Sequence, residues 1–392
     1  MIGNLYFADM CMRNSEHIFF NSAFIRILSK TYPNAKLIFY GEQKHCKFLS
    51  QELLDLDIDF RKLPILSGKL WRVIVSDIWS AILLFRFYFK ITSNDMLILL
   101  NRLPLTLFVA IVLNVICRRN ILSVLHGELE SIINYSHVSG RTKLYHKLFL
   151  FAYKLSTKKI TYVVLGKSIY DNIQMVKFGS ANFVVIDHPY DYSISLNSKS
   201  RNRCGTNEIN VGIIGKAMKR KNSELIFTLA ELVNKSLDPP VEQIYFSIAG
   251  SIEEDILAYN NGLVSYFSSH KRLDKSDFYN AIDKLDYSLS FYTLNENKGL
   301  ASGSFFDSIK FEKPILALKG NSFVDYYFDK LGNIGYRFSS IQEIAYFLRH
   351  IKGEERITEY QAQVRSLKRA KNILSLDNII KEFRKQLFSI YE

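Results

Sequence analysis

Short apolar runs and stretches of helical periodicity alternate along the first half of the chain. A short continuous apolar run indicates a buried strand, whereas apolar positions three or four residues apart indicate a helix. Strands are predicted at 2–8, 36–40, 58–63, 95–100, 121–125, 160–165 and 183–186. Helices are predicted between them at 15–29, 71–88, 103–117, 141–156 and from 168 onward. This alternation predicts a mostly parallel sheet with helices on both faces.

The pattern stops in a polar, aperiodic stretch at 191–208 and then restarts. Further strands are predicted at 210–214, 243–249, 263–267, 288–291 and 315–318. Further helices are predicted at 222–233, 274–281, from 302, and at 321–330, 340–350, 354–371 and 376–390. The sequence therefore predicts two α/β domains, at 1–190 and 209–374, joined by a linker at 191–208. A C-terminal helix within 375–392 is expected to pack back toward the first domain.

The composition is that of a globular protein, with 392 residues, 48% hydrophobic and 23% charged. That length allows two domains of ordinary size. The four cysteines, Cys11, Cys46, Cys117 and Cys204, are scattered and form no C-x-x-C pair. Their spacing indicates neither a disulfide framework nor a zinc site, and it favours a reducing compartment.

Two segments bear on targeting and membrane insertion. The first ten residues, MIGNLYFADM, lack the basic start and long apolar run of a signal peptide and predict a first strand. The apolar run 103–117 is 15 residues long, shorter than the roughly 20 that span a bilayer. It therefore predicts a buried helix of an α/β domain.

The net charge of +13 is concentrated in the first half of the chain. Residues 1–190 carry a net charge of +10, and residues 191–392 carry +3. A basic half suggests an anionic partner such as a membrane surface, a phosphate-bearing lipid or a nucleic acid, although a merely solvated basic surface remains an alternative. No known nucleic-acid-binding module supports the third partner, so no nucleic acid is expected.

The stretch 292–318 combines features of an anion site. Ser302, Gly303 and Ser304 lie where a loop becomes a helix, and a serine there can cap free backbone N–H groups. A helix N-terminus of this kind favours phosphate, and Asp307 follows one turn later, where it could bind ribose hydroxyls. The alternative interpretation is an ordinary capped helix in an α/β fold.

A second candidate anion site follows the first strand of the second domain. Gly215 makes a turn, and four cations follow within six residues, of which Lys216 and Lys221 are the preferred phosphate ligands. The segment is neither G-x-G-x-x-G nor a Walker A sequence, so dinucleotide and P-loop interpretations are weak. Lysine charges at a helix start suit a diphosphate. A basic solvated loop is the alternative.

At these residues the chain resembles the two-domain GT-B fold glycosyltransferases. Gly215, Lys216 and Lys221 resemble the G-[RK]-x…K segment of that family, and Gly250 matches the glycine that ends the strand before its nucleotide-base loop. The resemblance covers most of 205–350. It implies a fold of two Rossmann-like parallel-sheet domains facing a cleft, with C-terminal helices crossing back. The first domain would then bind the acceptor and the second the nucleotide sugar.

The family's donor segment, a small-residue run followed by E-A-x-x-x-G-x-P, resembles the stretch from Ser304 to Pro314. Asp307 lies where the ribose-binding glutamate is expected, seven residues before the proline, but is shorter by one methylene. The E-x-F-G motif of retaining members appears as Glu296-Asn-Lys-Gly299, shifted by one position, and Glu312 replaces a usual glycine. These departures leave retention or inversion, and the nucleotide base, open.

The candidate catalytic residues lie in the first domain. A predicted strand ends in His126-Gly127, and His126 resembles the histidine that the family places near the donor sugar. Glu128, or Glu130 beside it, could serve as a general base for a sugar hydroxyl. Alternatively, His126 has only a structural role in the turn, and the two glutamates complement the dipole of a helix that begins there.

Two further segments carry carboxylates. Asn14 or Ser15 is a possible cap for the first helix, and Glu16 or His17 could contact the acceptor or act as base, with a simple capping box as the alternative. The D-x-D pattern at 55–59 resembles a metal motif of the other major glycosyltransferase fold. It lies far from the nucleotide motifs, and we expect exposed acids rather than a metal site.

The resemblance implies a bacterial enzyme of O-antigen, capsule or exopolysaccharide synthesis. It would transfer a sugar from a nucleotide diphosphate to a glycan hydroxyl, with a lipid-linked acceptor, at the cytoplasmic membrane face. Neither a cofactor nor a metal is expected beyond the nucleotide-sugar co-substrate. The alternatives are a nucleotide-sugar epimerase on the same fold and a non-catalytic scaffolding subunit.

Overall fold

The computed structural model describes residues 2–65, 70–133, 140–192, 208–235, 239–268, 273–293 and 298–391. Cys204, Glu296 and most of the predicted linker lie outside these ranges. The chain divides into two compact units. Unit 1 comprises Met1–Asp191, Gly299–Ala301 and Leu374–Glu392, and unit 2 comprises Tyr192–Lys298 and Ser302–Ile373.

Each unit is built on one parallel sheet. In the described ranges, the sheet of unit 1 has seven strands in the order β3-β2-β1-β4-β5-β6-β7, and that of unit 2 has six in the order β10-β9-β8-β11-β12-β13. The strands are β1 (Asn4–Asp9), β2 (Lys36–Glu42), β3 (Ile58–Leu63), β4 (Met96–Asn101), β5 (Asn120–Val124), β6 (Ile160–Leu165), β7 (Asn182–Ile186), β8 (Glu208–Ile214), β9 (Gln243–Ser251), β10 (Val264–Ser268), β11 (Tyr287–Ser290), β12 (Ile315–Leu318) and β13 (Gly335–Phe338). The predicted class of two parallel-sheet α/β domains is therefore confirmed.

Helices connect these strands in the right order for parallel crossovers. They are α1 (Ile18–Thr31), α2 (Gln43–Glu52), α3 (Leu70–Tyr88), α4 (Pro104–Cys117), α5 (Glu128–Ile133), α6 (Gly140–Lys154), α7 (Lys167–Asn172), α8 (Leu225–Asn234), α9 (Glu254–Leu257), α10 (Lys275–Asp283), α11 (Gly303–Lys310), α12 (Ser322–Leu331), α13 (Ile341–His350), α14 (Gly353–Ile373) and α15 (Leu376–Tyr391).

Two apolar cores sandwich the sheet of unit 1. Helices α3, α4 and α6 bury Leu84, Leu107 and Phe149 against one face. Helices α1 and α15 bury Phe24 and Phe383 against the other. The strands supply apolar side chains to both faces, which is why they appear in the sequence as continuous apolar runs rather than as alternating patterns.

The C-terminal helix α15 belongs to unit 1, although both segments of unit 2 precede it in the chain. Its Gln386 side chain accepts a hydrogen bond from the Val185 amide at 2.8 Å and donates one to the Val185 carbonyl at 2.7 Å. Because β7 is an edge strand, this amide satisfies backbone groups that no neighbouring strand pairs with.

Several local predictions differ from the structure. Helix α1 begins after His17, which is its N-cap residue with φ 53° and no side-chain cap, so the predicted Asn14 or Ser15 cap is wrong. Helices α2, α5 and α9 and strand β13 were not among the predicted elements, because each has ten residues or fewer and lacks a clear apolar period. Within the described ranges, no helix is long and apolar enough to cross a membrane.

Candidate functional site

The predicted phosphate site in unit 2 is the N-terminus of α11. Ser302 is its N-cap, and the Ser302 hydroxyl accepts a hydrogen bond from the Phe305 amide at 3.3 Å. The Ser302 hydroxyl also lies 3.0 Å from the Ser304 hydroxyl and 2.8 Å from the Tyr292 hydroxyl. Tyr292, which the sequence analysis did not single out, is buried and holds both serines in place. Only its position just after β11 could have drawn attention to it.

Gly303 begins α11 at an exposed position. A Cβ built on Gly303 would meet no atom within 4 Å. The first N–H groups of a helix have no acceptor within the helix, so they are free to bind an anion that approaches this open side. The cap therefore leaves room for a ligand directly beside the positive end of the helix dipole.

The second predicted phosphate segment, at Gly215, lies close to Ser304, and two glycines allow this close approach. Gly215 has φ +86°, in the left-handed region, and a Cβ on it would lie 3.7 Å from the Ser304 Cβ. Gly250, at the end of β9, lies so close to this turn that its Cβ would be 1.9 Å from the Gly215 carbonyl oxygen. The structure thus brings Gly215, Gly250 and Ser304 together, although 89 residues separate the first from the last.

The two preferred lysines have different surroundings. Lys221 lines a small cavity of about 20 Å³ together with Tyr292 and Ser304, which lie at and beside the α11 N-terminus. A volume of that size holds about one water molecule. Lys216 is exposed and pairs with Glu253 at 2.5 Å. The geometry therefore favours Lys221 over Lys216 as the phosphate ligand.

Asp307 is half-buried in the second turn of α11, as its spacing from Ser304 predicted. It is not among the residues that line the small cavity beside Ser304. Glu312 has φ 57°, in the left-handed region that favours glycine, and it pairs with Lys371 at 2.7 Å. The role of Asp307 at the ribose stays a prediction.

His126 in unit 1 is a neutral imidazole with one nitrogen available. Its ring donates a hydrogen bond to the backbone of Leu100, and among the described residues its Nε2 atom has no hydrogen-bond partner. Nδ1 is therefore the protonated nitrogen, and Nε2 offers a lone pair. Burial, followed by the charges of His17 and Arg102, holds the pKa of His126 well below its usual range.

Aromatic rings enclose this imidazole. The His126 ring lies edge-on to Phe20 at 4.6 Å and to His17 at 5.2 Å between centroids. His188, at the end of β7, lies 5.3 Å from the same Phe20 ring. The structure therefore brings together the predicted His126 and His17, and it adds His188 to them.

The histidine cluster predicts an acid-sensitive unit 1. Burial, and then the His17 charge, lower the pKa of His188 to about 4. An unfolded histidine has a pKa of about 6.5, so below that pH the unfolded chain binds more protons than the folded protein. The contribution of His188 to stability is therefore nearly complete above about pH 6.5 and falls by roughly 3 kcal/mol as the pH drops to 4.

Denaturant unfolding at pH 7.5, 5.5 and 4.5 measures this dependence. His188→Gln removes one titrating group and is expected to lose less stability between the first and last pH than the unchanged protein. An equal loss in both proteins would show that His188 does not contribute to the acid sensitivity.

Glu128 is engaged in a buried ion pair. Its carboxylate lies 2.8 Å from the Arg102 guanidinium, and the two side chains are 10% and 1% exposed. The same carboxylate accepts hydrogen bonds from the His126 amide at 3.1 Å and the Tyr153 hydroxyl at 3.3 Å. These contacts position the His126 turn. They assign Glu128 a structural place in unit 1 rather than the open position that a general base needs.

Glu130 binds the chain where it returns from unit 2. Its carboxylate accepts a hydrogen bond from the Gly299 amide at 2.7 Å. A Cβ on Gly299 would lie 2.5 Å from the Glu130 amide nitrogen, so only glycine fits here. Gly299, which the sequence analysis compared with the glycine of the E-x-F-G motif, is therefore required by packing in unit 1, to which Gly299–Ala301 belongs.

The loop after β1 depends on a buried polar network that the sequence analysis missed. The Asp9 carboxylate accepts hydrogen bonds from the Met12 amide and from the side chains of Asn21 and Asn101, at 2.7–2.9 Å. The His45 ring lies 3.0 Å from the Asn14 carbonyl and binds the same loop. A single aspartate at a strand end gave too weak a signal to be recognised.

The remaining predicted carboxylates lie on the surface. Glu16 is exposed and accepts a hydrogen bond from the Arg13 amide at 3.2 Å, so it shapes its own loop. Asp55 pairs with Arg26, and Asp59 pairs with Arg61. Within the described ranges, no group of three or more His, Cys, Asp or Glu side chains is placed to hold a metal. Metal independence stays a prediction.

Comparison with known proteins gives a fold but no close relative. No protein-family profile matches the chain, and no curated protein sequence matches it. Solved structures do match over nearly the whole length. One is Anabaena Alr3699/HepE in complex with UDP-glucose, with a TM-score of 0.64, 15% identity, and coverage of 98% of this chain and 99% of that one.

Two other glycosyl-transfer structures match equally widely. WaaG, a glycosyltransferase involved in lipopolysaccharide biosynthesis, has a TM-score of 0.60 and 13% identity, covering 97% and 98% of the two chains. Sucrose-phosphate synthase from Thermosynechococcus elongatus has a TM-score of 0.65 and 11% identity, covering 99% of each. At these identities the likeness concerns the fold, and this chain therefore has the GT-B fold.

Proposed function

We propose that this chain is a glycosyltransferase that moves a sugar from a nucleotide-diphosphate donor to a hydroxyl of a glycan acceptor. The observation that carries the proposal is the meeting of two distant segments at the α11 N-terminus. There the Gly215 turn lies against Ser304, and Lys221 lies beside Tyr292 and Ser304. The fold alone would not support it, because one fold hosts many functions.

In the proposed reaction, this site stabilises the leaving diphosphate. Charge develops on the phosphate oxygens as the glycosidic bond breaks, and preorganised donors lower the barrier without needing to rearrange. The Lys221 ammonium, the open N–H groups at Gly303 and the Ser304 hydroxyl are such donors. Together they would replace a metal ion as the source of positive potential, so we propose a metal-independent reaction without a cofactor.

In unit 1, we assign His126 to the reacting sugar. Its ring has a buried Nε2 lone pair that lacks a partner among the described residues. A sugar hydroxyl that reached this atom would donate a hydrogen bond to it. The low pKa makes it a polar contact rather than a strong base. Among the other predicted catalytic residues, His17 is exposed and lies beside His126, so it remains the candidate to contact the acceptor.

The structural neighbours and the charge of the chain support a proposal for the donor and acceptor classes. HepE is described with UDP-glucose and WaaG with lipopolysaccharide biosynthesis. We propose a UDP-sugar donor and a lipid-linked glycan acceptor of surface polysaccharide synthesis. The +10 charge of residues 1–190 supports peripheral contact with an anionic membrane, at its cytoplasmic face.

A thermal-shift panel of UDP, GDP, CMP and ADP sugars tests the donor site. A ligand that binds only the folded protein raises its stability by about 2.7 kcal/mol at a concentration 100 times its Kd. We expect UDP-glucose or another UDP sugar to raise the melting temperature most. If none of the four classes raises it, the donor-site proposal is wrong.

Two lysine variants provide the matched control for this panel. Lys221→Ala removes a charge at the α11 N-terminus, and we expect donor affinity to fall about tenfold or more. Lys216→Ala removes a charge already paired with Glu253, and a smaller loss is expected. Equal effects of the two variants would contradict the assignment of Lys221. Incubation with donor alone separates transfer from epimerisation, since an epimerase needs no acceptor.

A further inference from the structure

Helix α3 turns polar side chains near its middle inward, next to buried apolar ones such as Leu84, and it also turns a row of apolar side chains outward. Ser76, Asp77 and Ser80 are at most 3% exposed, whereas Ile78 and Phe85 are 46% and 51% exposed. A surface helix of a soluble protein normally has the opposite arrangement. The exposed apolar positions recur at helical spacing along the whole helix: Ile74, Val75, Ile78, Trp79, Ile82, Phe85 and, just beyond its end, Phe89.

Specific hydrogen bonds hold α3 in this orientation. The Asp77 carboxylate accepts hydrogen bonds from the amides of Leu105 and Thr106 at 2.8 and 2.9 Å, and so it caps the N-terminus of α4. It also accepts one from the Thr106 hydroxyl at 2.7 Å. Because the inward Asp77 side chain has these partners, a rotation of the helix would break its hydrogen bonds. The apolar outward side is therefore a stable feature of the fold.

Two neighbouring helices extend the apolar surface. Helix α4 contains no charged residue, and its Val115 and Ile116 are 55% and 76% exposed. This is a correction to the buried helix predicted at 103–117, since only one side of it is buried. Helix α6 adds Phe151, which is 52% exposed and stacks on Phe108 of α4 at 5.9 Å between centroids. We call the outward sides of α3, α4 and α6 the three-helix face.

The surroundings of this face are basic. Residues 70–160 contain twelve Lys or Arg and only four Asp or Glu. Of the four acids, Asp77 and Asp95 are buried, and the other two are the partly buried Glu128 and Glu130, bound to Arg102 and Gly299. Exposed cations lie on these helices or within two residues of their ends: Arg86, Lys90, Arg118, Lys147 and Lys154.

We infer that the three-helix face docks on an anionic lipid bilayer, with its apolar side chains entering the headgroup region and its cations binding lipid phosphates. Apolar area drives such insertion, and each basic residue near an anionic surface adds to the affinity. A protein partner would need a matching acidic rim, whereas an anionic membrane supplies negative charge everywhere. The inference rests on the membrane contact included in the proposed function, and it goes beyond net charge by naming an inserted surface.

Fluorescence can report on this face directly. The only two tryptophans of the chain, Trp71 and Trp79, both belong to α3. In a Trp71→Phe variant, Trp79 is the sole tryptophan, and its side chain is 37% exposed on the three-helix face. We expect vesicles of phosphatidylglycerol and phosphatidylcholine to shift its emission to the blue, and lipids brominated on their acyl chains to quench it. Vesicles of phosphatidylcholine alone should have little effect.

A matched pair of variants measures the contribution of the apolar side chains. In Ile78→Asp/Phe85→Asp, vesicle co-sedimentation should weaken about tenfold or more, because two apolar anchors become acids. In Val241→Asp/Tyr346→Asp, two apolar residues of unit 2, 62% and 60% exposed, change in the same way, and binding should fall far less. Circular dichroism and thermal melting confirm that both variants fold.

Three results would overturn the inference. The first is no change of Trp79 emission with anionic vesicles, and the second is equal loss of binding in the two double variants. The third is a dimer in sedimentation velocity that Ile78→Asp/Phe85→Asp dissociates while vesicle binding is unchanged, since a second copy would then cover the face. Donor-induced thermal shifts should be the same in all these proteins, so failure of docking can be told from failure of the donor site.

Discussion

Gly250→Ala is expected to lower the melting temperature of the protein by several degrees and to abolish its stabilisation by a nucleotide sugar. The new Cβ would lie 1.9 Å from the Gly215 carbonyl oxygen and 2.5 Å from its carbonyl carbon. Both atoms are backbone, so no side chain can rotate away, and the Gly215 turn must move. Overpacking of this kind costs about 1–3 kcal/mol, which in a domain of this size corresponds to several degrees.

Gly303→Ala is the matched control for this prediction. The same methyl group at Gly303 meets no atom within 4 Å, so the melting temperature should stay within about a degree of the original. The methyl group would, however, occupy the open side of the α11 N-terminus, so donor binding should still weaken. A Gly303→Ala variant that binds donor normally would place the phosphate elsewhere. A Gly250→Ala variant of unchanged stability would contradict the close approach of β9 to the Gly215 turn.

The buried Arg102–Glu128 pair gives the second large expected effect. In Glu128→Leu, the Arg102 guanidinium, 1% exposed, loses its carboxylate partner. Leaving a buried charge without its partner typically costs about 3–5 kcal/mol. We therefore expect a steep loss of stability in unit 1, seen as a lower midpoint in urea. The Arg102→Met/Glu128→Leu double variant replaces the pair by apolar side chains and should recover much of the loss, because no isolated charge remains.

The same pair of variants tests the role predicted for Glu128 as a base. A structural carboxylate gives a large stability change that the double variant partly reverses. A catalytic base would give a small stability change and a loss of sugar transfer that Arg102→Met does not alter. The second result would restore Glu128 to the catalytic residues and contradict the assignment drawn from its contacts with Arg102 and Tyr153.

The sequence alone was sufficient for most of the fold because its signals are local. Every strand of unit 1 was predicted, and β3 and β6 were predicted with their observed limits. Continuous apolar runs mark strands that are buried on both faces, and this property does not depend on the rest of the chain. The Ser302 cap and the Gly215 turn were found for the same reason, since caps and turns use characteristic residues.

Other features depend on residues far apart in the chain, and only the tertiary structure could decide them. Lys216 and Lys221 are equivalent in the sequence, but Glu253 lies beside one and Tyr292 beside the other. Glu128 looked like a free acid until Arg102, 26 residues earlier, was found against it. A pattern of residue types shows which charged groups are present, but it does not show which of them pair in the folded protein.

The sequence by itself determined two parallel-sheet domains, a basic first half and two candidate phosphate segments, because periodicity, charge and turn chemistry are properties of neighbouring residues. Only the tertiary structure decided that the two segments meet at α11, that Gly250 allows the meeting, and that the apolar side of α3 is turned outward. These outcomes depend on long-range packing. The Asp77 carboxylate orients α3 because it finds the α4 N-terminus, 28 residues away.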